Sequence, residues 1–265
     1  MNNKIIIFTK PWKNLSLEQL ATLVKNMGFD GVELAIRDGY QVTPDNVLTE
    51  LPQAKKIFES KGLFIGSVAG PLEENIISAM GKAKIPVLRT MAFINLEKGY
   101  FESLNETKNK IKGLSPLLKK NHVKIGIQNH HGYMINNAIG TWQFLQELDP
   151  TISGSVLDFA HCALAGEPND MALDILKGQI LEINFKAGYK YKDNKGNWLV
   201  HWTTGDEGLY SWETATKLLK EHKFMGNICL HAEYNKINSL VPLVGEEAQE
   251  LAVKDLNYLK SFLMI

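Results

Sequence analysis

Eight short runs of β-branched and aliphatic residues, each followed by a longer segment of helical character, set the strongest limit on how this chain folds. The runs are residues 4–8 (KIIIF), 32–36 (VELAI), 63–69 (LFIGSVA), 87–93 (VLRTMAF), 123–128 (VKIGIQ), 153–158 (SGSVLD), 180–186 (ILEINFK) and 228–233 (ICLHAE). Helical segments are expected over 17–27, 44–60, 71–82, 101–120, 138–148, 169–176, 211–222 and 246–263. Ser16 caps the first, with Leu20, Leu23, Val24 and Met27 at helical spacing and Gly28 at its end. Pro71 suits a first-turn position in the third. Pro116 bends the fourth or starts a new turn. Strand and helix in strict alternation require a parallel sheet, because a crossover helix returns the chain to the same end of the sheet. Eight such units in 265 residues favour closure into a (β/α)8 TIM barrel, which takes roughly 250 residues, over an open doubly wound sheet. No linker or composition shift interrupts the pattern, so residues 1–265 read as one domain.

The charge balance excludes some partners. Lys plus Arg is 29 and Asp plus Glu is 29, which argues against a broad nucleic-acid footprint. The apolar run at 5–8 is too short for a signal sequence and is followed by Lys10 and Pro11; no apolar stretch reaches membrane-spanning length. Cys162 and Cys229 are far apart and form no CxxC, so they read as reduced, partly buried thiols. The expectation is a cytoplasmic protein with neither nucleic acid nor membrane as partner. Gly28 to Gly31 (GFDG) precedes a strand rather than following one, so it reads as turn chemistry and not as a dinucleotide fingerprint.

In a closed parallel barrel the chemistry sits at the C-terminal strand ends. Those ends offer Glu33; Gln128, Asn129, His130 and His131; Asp158 and His161; Asn184 and Lys186; and His231 with Glu233. Glu233 stands out, because an acid at a strand end must face water, a metal or a partner. Asp158 reads as a site acid or a turn cap, and Glu33 as a site acid or the cap of a neighbouring loop. One of His130 and His131 is a plain loop histidine. His231 alternates with Glu233 but lies deeper, and reads equally well as a core histidine.

Six segments in order, GFDGVEL (28–34), QNHHG (128–132), LDFAH (157–161), NFKA (184–187), GDEGLYSW (205–212) and FMGNICLHAEY (224–234), resemble the sugar phosphate isomerase/epimerase group of the xylose-isomerase-like TIM barrels. That group also includes hexulose epimerases and endonuclease IV, and the resemblance covers essentially the whole chain. It implies one divalent ion (Mn²⁺, Mg²⁺ or Zn²⁺) held by Glu, Asp, His and Glu from the ends of strands five to eight. Residue by residue, these positions are Gln128, Asp158, Asn184 and Glu233. Asp158 and Glu233 match; the ENH of the family reads Gln128-Asn129-His130, and its HxKD reads Asn184-Phe185-Lys186-Ala187. An amide offers a hard cation only a neutral carbonyl oxygen, so the metal site is expected to be weakened. The DxxH pattern is intact as Asp158 and His161, which implies that His161 touches substrate.

The resemblance also implies a two-carboxylate proton exchange, which Gln128 cannot support. Glu233 remains as a base, and a one-base isomerisation, or a second acid such as His161 or Glu33, is left. The resulting expectation is a sugar isomerase/epimerase-like enzyme with Glu233 and His161 catalytic and Glu33, His130, Lys186 and Trp12 binding substrate. Trp12 would stack on a sugar face, its alternative being a tryptophan packed on the barrel rim. Arg89 and Lys186 could meet a phosphate or carboxylate. Trp198 and Trp202 lie in a polar excursion, 189–208, that reads as a lid or a surface hairpin. The competing expectation is a carbohydrate- or metabolite-binding barrel without turnover, since amides bind hydroxyls well and catalyse little. A nuclease of the endonuclease IV type ranks last, for want of a basic groove and the strand-seven histidine. Homo-oligomers are common in the family.

Overall fold

The computed structural model describes residues 3–236 and 239–263. Every residue of β1 (Ile5–Phe8), β2 (Gly31–Ala35), β4 (Val87–Thr90) and β6 (Ser153–Asp158) is buried. Strands that are apolar on both faces need cover on both, and a closed parallel barrel wrapped by helices supplies it. β3 (Phe64–Ala69), β5 (Lys124–Gln128), β7 (Ile180–Phe185) and β10 (Asn227–Leu230) complete the ring in the order β1-β10-β7-β6-β5-β4-β3-β2. Between β7 and β10 the chain makes an antiparallel hairpin of β8 (Ala187–Lys192) and β9 (Trp198–Thr203), outside the barrel sheet. The excursion after the seventh strand is therefore an ordered two-stranded arm.

The outer helices are α1 (Leu17–Met27), α2 (Val47–Ser60), α3 (Glu74–Ala83), α4 (Tyr100–Asn121), α5 (Ala138–Leu145), α6 (Phe159–Ala165), α7 (Asn169–Leu176), α8 (Trp212–Glu221) and α9 (Gly245–Leu263). α1 shows how the sequence sets its bounds. Ser16 Oγ accepts from the Gln19 N–H, Gln19 Oε1 accepts from the Ser16 N–H, and Gly28 closes the helix at φ 88°. Leu17, Leu20, Ala21, Val24 and Met27 form its buried face. α3 begins three residues after Pro71, because Leu72 and Glu73 are not helical. α4 runs through Pro116 as one helix. α6 follows β6 directly and is an addition to the expected elements. The last barrel strand ends at Leu230, so His231 and Glu233 lie just beyond it.

β2 and β3 approach closely at Gly31, where a Cβ would stand 2.1 Å from the Phe64 carbonyl oxygen, beside a register shift between Val32 and Glu33. That shift helps to set the level at which Glu33 sits. Gly31→Ala is expected to destabilise the fold by at least ~1–3 kcal/mol in urea unfolding, because backbone must move to admit the methyl. Gly113→Ala, on exposed helix surface with nothing near a Cβ, is expected to stabilise by about 0.5–1 kcal/mol and serves as the control.

Candidate active site

A chain of polar side chains with alternating charge crosses the C-terminal mouth of the barrel. It starts at Glu33 on β2, which has no exposed surface. Arg89 on β4 grips this carboxylate at two points, Nε to Oε1 at 2.6 Å and Nη2 to Oε2 at 2.8 Å. Phe8 lies beneath the guanidinium, 4.6 Å from ring centroid to Cζ. Burial pushes the Glu33 carboxyl up, yet Arg89, with His231 nearby, outweighs it and holds the group at about 2. Arg89 Nη1 donates to Gln128 Oε1 at 2.5 Å, and Gln128 Nε2 donates to Asp158 Oδ2 at 2.9 Å. A guanidinium only donates and a carboxylate only accepts, so the sense of the Gln128 amide is forced.

Asp158 is the last residue of β6 and the N-cap of α6. Its Oδ1 accepts from the N–H groups of Ala160 and His161 at 3.1 and 3.2 Å. Asn129 exchanges two hydrogen bonds with the Asp158 backbone, at 2.8 and 2.9 Å. The carboxylate cannot turn, and Oδ2 is fixed towards Gln128, towards Lys186 Nζ at 3.6 Å and towards His161 Nε2 at 3.7 Å. Lys186 Nζ donates to Glu233 Oε2 at 2.9 Å, while Lys10 Nζ donates to Glu233 Oε1 at 2.5 Å. The Trp202 ring covers the Lys186 ammonium at 4.5 Å. Burial pushes the Glu233 carboxyl up, but Lys186, with His231 and Lys10, holds it well below the usual carboxylate range.

The histidines occupy the next wall. His161 Nδ1 accepts from the His131 N–H at 3.3 Å, so the neutral ring carries its proton on Nε2, which faces Asp158 Oδ2 at 3.7 Å and makes no hydrogen bond among the described residues. Burial and the Lys186 charge push His161 well below its ordinary value and His130 down to about 3. His130 Nδ1 donates to the His131 carbonyl at 2.8 Å, leaving Nε2 as an acceptor. A cleft of about 630 Å³ opens beside these groups, bounded by Lys10, Tyr40, His131, Trp198, Trp202 and Glu233. Its size suits a small ligand.

Gln128, Asp158, Lys186, Glu233, His130 and His161 thus gather in one place. Asn184 pairs with Asp158 in register and is fully buried, and neither amide atom makes a hydrogen bond among the described residues. Two expected substrate-binding residues are turned elsewhere. Trp12 is buried in the core at 2% exposure, and its indole N–H donates to the Gly245 carbonyl at 3.0 Å, so it anchors the start of α9 and offers no free face to a sugar. Glu33 is saturated by Arg89 and out of reach of a ligand, which removes it as an alternative acid; Arg89 is likewise spent on Glu33 and Gln128, not on a phosphate. Lys10 was not foreseen: it lies two residues past the first strand run, within no motif. The bridging role of Arg89 was equally hidden, because it depends on which strands become neighbours. His231 is buried between Glu33 Oε2 at 3.5 Å and Glu233 Oε2 at 3.7 Å. Both cysteines are free and buried, and burial pushes their thiols well up.

The positions that the resemblance assigns to a divalent ion do come together, but their present chemistry does not fit one. Gln128 has its only acceptor oxygen on Arg89 and turns an N–H towards Asp158. The Lys186 ammonium lies within reach of both remaining carboxylates. A dication about 4 Å from that ammonium would be repelled by on the order of 8 kcal/mol at an effective dielectric of about 20. Two other groups among the described residues bring potential ligand atoms within 4.8 Å of one another: His130, His131 and His161, and Glu33, Cys229 and His231.

The Glu33–Arg89 pair has a consequence for acid stability. With a folded value of about 2 against 4.5 for the free group, Glu33 contributes on the order of 3 kcal/mol that is present above pH 4.5 and lost as the pH falls towards 2. In Arg89→Met the buried carboxyl keeps His231, the weak thiol donor of Cys229 and the more distant Arg37, against the nearby Glu182 carboxyl. Its folded value then moves above 4.5. Urea unfolding is expected to show a loss of about 3–5 kcal/mol at pH 7 and a reversed slope, with stability now falling as pH rises above 4.5.

Comparison with known proteins agrees with this architecture. No curated protein matches the chain in sequence. Many solved structures share its fold at low identity, among them the following three. The 3-keto-D-glucoside 4-epimerase from E. coli superposes with a TM-score of 0.73 at 13% identity, covering 98% of this chain and 100% of that one. An L-ribulose 3-epimerase gives 0.76 at 12% identity over 99% and 95%. The probable 3-DHS dehydratase from Bacillus anthracis gives 0.71 at 14% over 97% and 98%. Residues 74–262 match the family described as xylose isomerase-like TIM barrel. The chain belongs to the xylose isomerase-like TIM barrel family.

Proposed function

We propose that this protein is an isomerase of small sugars or related hydroxy-carbonyl compounds, acting at the C-terminal mouth of its barrel with Glu233 as the base. The observation that carries the reading is Glu233 itself. It is an ionised carboxylate, 18% exposed, at the edge of the cleft and held between two lysines. Sugar epimerases with the same barrel support the substrate class.

The chemistry follows from what each group can donate or accept. Glu233 takes the proton from the carbon beside the substrate carbonyl. A carboxylate held by two ammonium groups is a weak base. When the substrate oxygen competes for those ammonium protons, Glu233 is released and its basicity rises at the moment it is needed. The C–H electron pair forms the carbon–carbon double bond of an enediolate, and the carbonyl pair moves onto oxygen. His161, neutral and with a free Nε2–H, can pass a proton between the two neighbouring oxygens. Glu233 then returns its proton to the adjacent carbon, so that atoms and charge balance. Gln128 cannot act as a second base on the opposite face. A one-base shift between adjacent carbons therefore fits the site better than inversion at a single carbon.

A second reading, a binding barrel without turnover, draws on Gln128 and on the unpartnered Asn184 amide, both well suited to hydroxyl groups. Incubation with D-fructose, D-tagatose and L-ribulose in D₂O separates the two. The isomerase reading expects deuterium to enter beside the carbonyl, detected by NMR, and Glu233→Gln to slow this by at least ~10³-fold while the fold survives. Unchanged exchange in Glu233→Gln would remove Glu233 from its role. No exchange with any sugar, accompanied by saturable binding, would favour the binding barrel.

A further inference from the structure

The cleft beside Glu233 has two unlike parts. Around the carboxylate it is polar, with Lys10 and His131 at hand. Farther out its lining is apolar and comes from two segments. Trp198, Val200 and Trp202 alternate along β9, so they share one face of the arm. At roughly 3.3 Å per residue, that face runs about 13 Å from Trp202 outward to Trp198. Its inner end lies over the Lys186 ammonium. Leu240, Leu243 and Val244, from the stretch that leads into α9, complete the lining. Both segments are tied to one residue at the barrel mouth. Asn235 Oδ1 accepts from the Trp202 N–H at 2.6 Å, and Asn235 forms a β-bridge with Pro242. The Leu243 N–H donates to the Tyr234 carbonyl at 2.8 Å. The outer part of the cleft is therefore a built feature that continues directly from the candidate active site.

Apolar surface stands open to water on both segments: Trp198 is 65% exposed, Leu240 66% and Val244 55%. Such surface gathered in one cleft marks a place where an apolar group binds. A free sugar carries a hydroxyl on nearly every carbon and has little to bury there. The volume of about 630 Å³ also falls in the range of larger ligands, roughly 300–1,000 Å³. We propose that the outer cleft is a subsite for an uncharged aryl or alkyl group, carried by the substrate at the end remote from its carbonyl. The substrate is then an amphiphile. Its hydroxy-carbonyl head meets Glu233 and Lys186, and its apolar tail lies along the Trp202–Val200–Trp198 face under Leu240 and Val244. The head rests on the isomerase reading; the tail rests on the cleft alone.

The test compares D-fructose with 6-O-benzyl-D-fructose by titration calorimetry on the full chain. The benzyl compound is expected to bind wild type at least ~10-fold more tightly, as burial of one aromatic ring implies. In Trp198→Ala and in Leu240→Ser the ratio of the two affinities is expected to fall towards one. Both side chains are largely exposed, so the fold does not depend on them. Wild type that binds the benzyl compound no more tightly than D-fructose overturns the proposal, and so does an advantage that survives in both variants. A wild-type dimer that Leu240→Ser dissociates, seen by sedimentation, assigns the apolar walls to a second copy and also overturns it. Tight binding of the benzyl compound without deuterium exchange in D₂O sinks the isomerase reading and leaves the subsite standing. Exchange with D-fructose, without any gain in affinity from the benzyl group, sinks the subsite and leaves the isomerase reading standing.

Discussion

Glu33 is placed by the β2–β3 register on the inner wall of the barrel, where an unpaired carboxylate would cost several kcal/mol. Arg89 answers it with a two-point grip, and the rest of the mouth is assembled from that pair. The third arm of the guanidinium takes the Gln128 oxygen, which turns the amide nitrogen to Asp158. Asp158 is then held on one oxygen by the start of α6 and on the other by Gln128, with Lys186 beside it. Removing any member leaves a buried charge or a buried polar atom unmatched, so the network behaves as a unit.

The two sides of the mouth differ in what they offer. On one side Lys10 and Lys186 hold Glu233 at the edge of the cleft, with Trp202 from the β8–β9 arm as a lid over the ammonium. On the other, three clustered imidazoles, all of them pushed towards the neutral form, present both an N–H and a lone pair. Neutral rings there follow from burial and from the Lys186 ammonium, which together disfavour a second positive charge. The arrangement is polar, pre-paired and largely buried, with hydrogen-bonding capacity left over, among the described residues, at His161 Nε2 and at the Asn184 amide. Leftover capacity of this kind in a buried wall is where a ligand with hydroxyl groups finds its partners.

The fold was legible because its signal is repetitive. Eight apolar runs and eight helical intervals each carry a little information, and together they admit few closures. The strand ends were where the site was expected, and the structure gathers Asp158, Lys186 and Glu233 at that end of the barrel. What the sequence hid was pairing. Nothing in a linear reading says that Arg89 will span from Glu33 to Gln128, since this depends on β4 standing between β3 and β5 in the ring. Glu33 and Trp12 carried the right residue types at suggestive positions, but packing assigned them to the scaffold. α6 was missed for a related reason: its cap is the final residue of a strand, with no intervening turn residues to announce it. Lys10 sits past a strand run in a short loop, where only the return of the chain end to β1 brings it to Glu233.

The forced sense of the Gln128 amide also limits how such a site can change over time. A reversion of Gln128 to glutamate, taken alone, would set a second carboxylate against Asp158 where an N–H now stands. Loss of Lys186, taken alone, would leave Asp158 without its ammonium neighbour and Glu233 with Lys10 alone. Each single step away from the present arrangement passes through a less compatible one. The present site is therefore a local optimum fenced by its own hydrogen bonds.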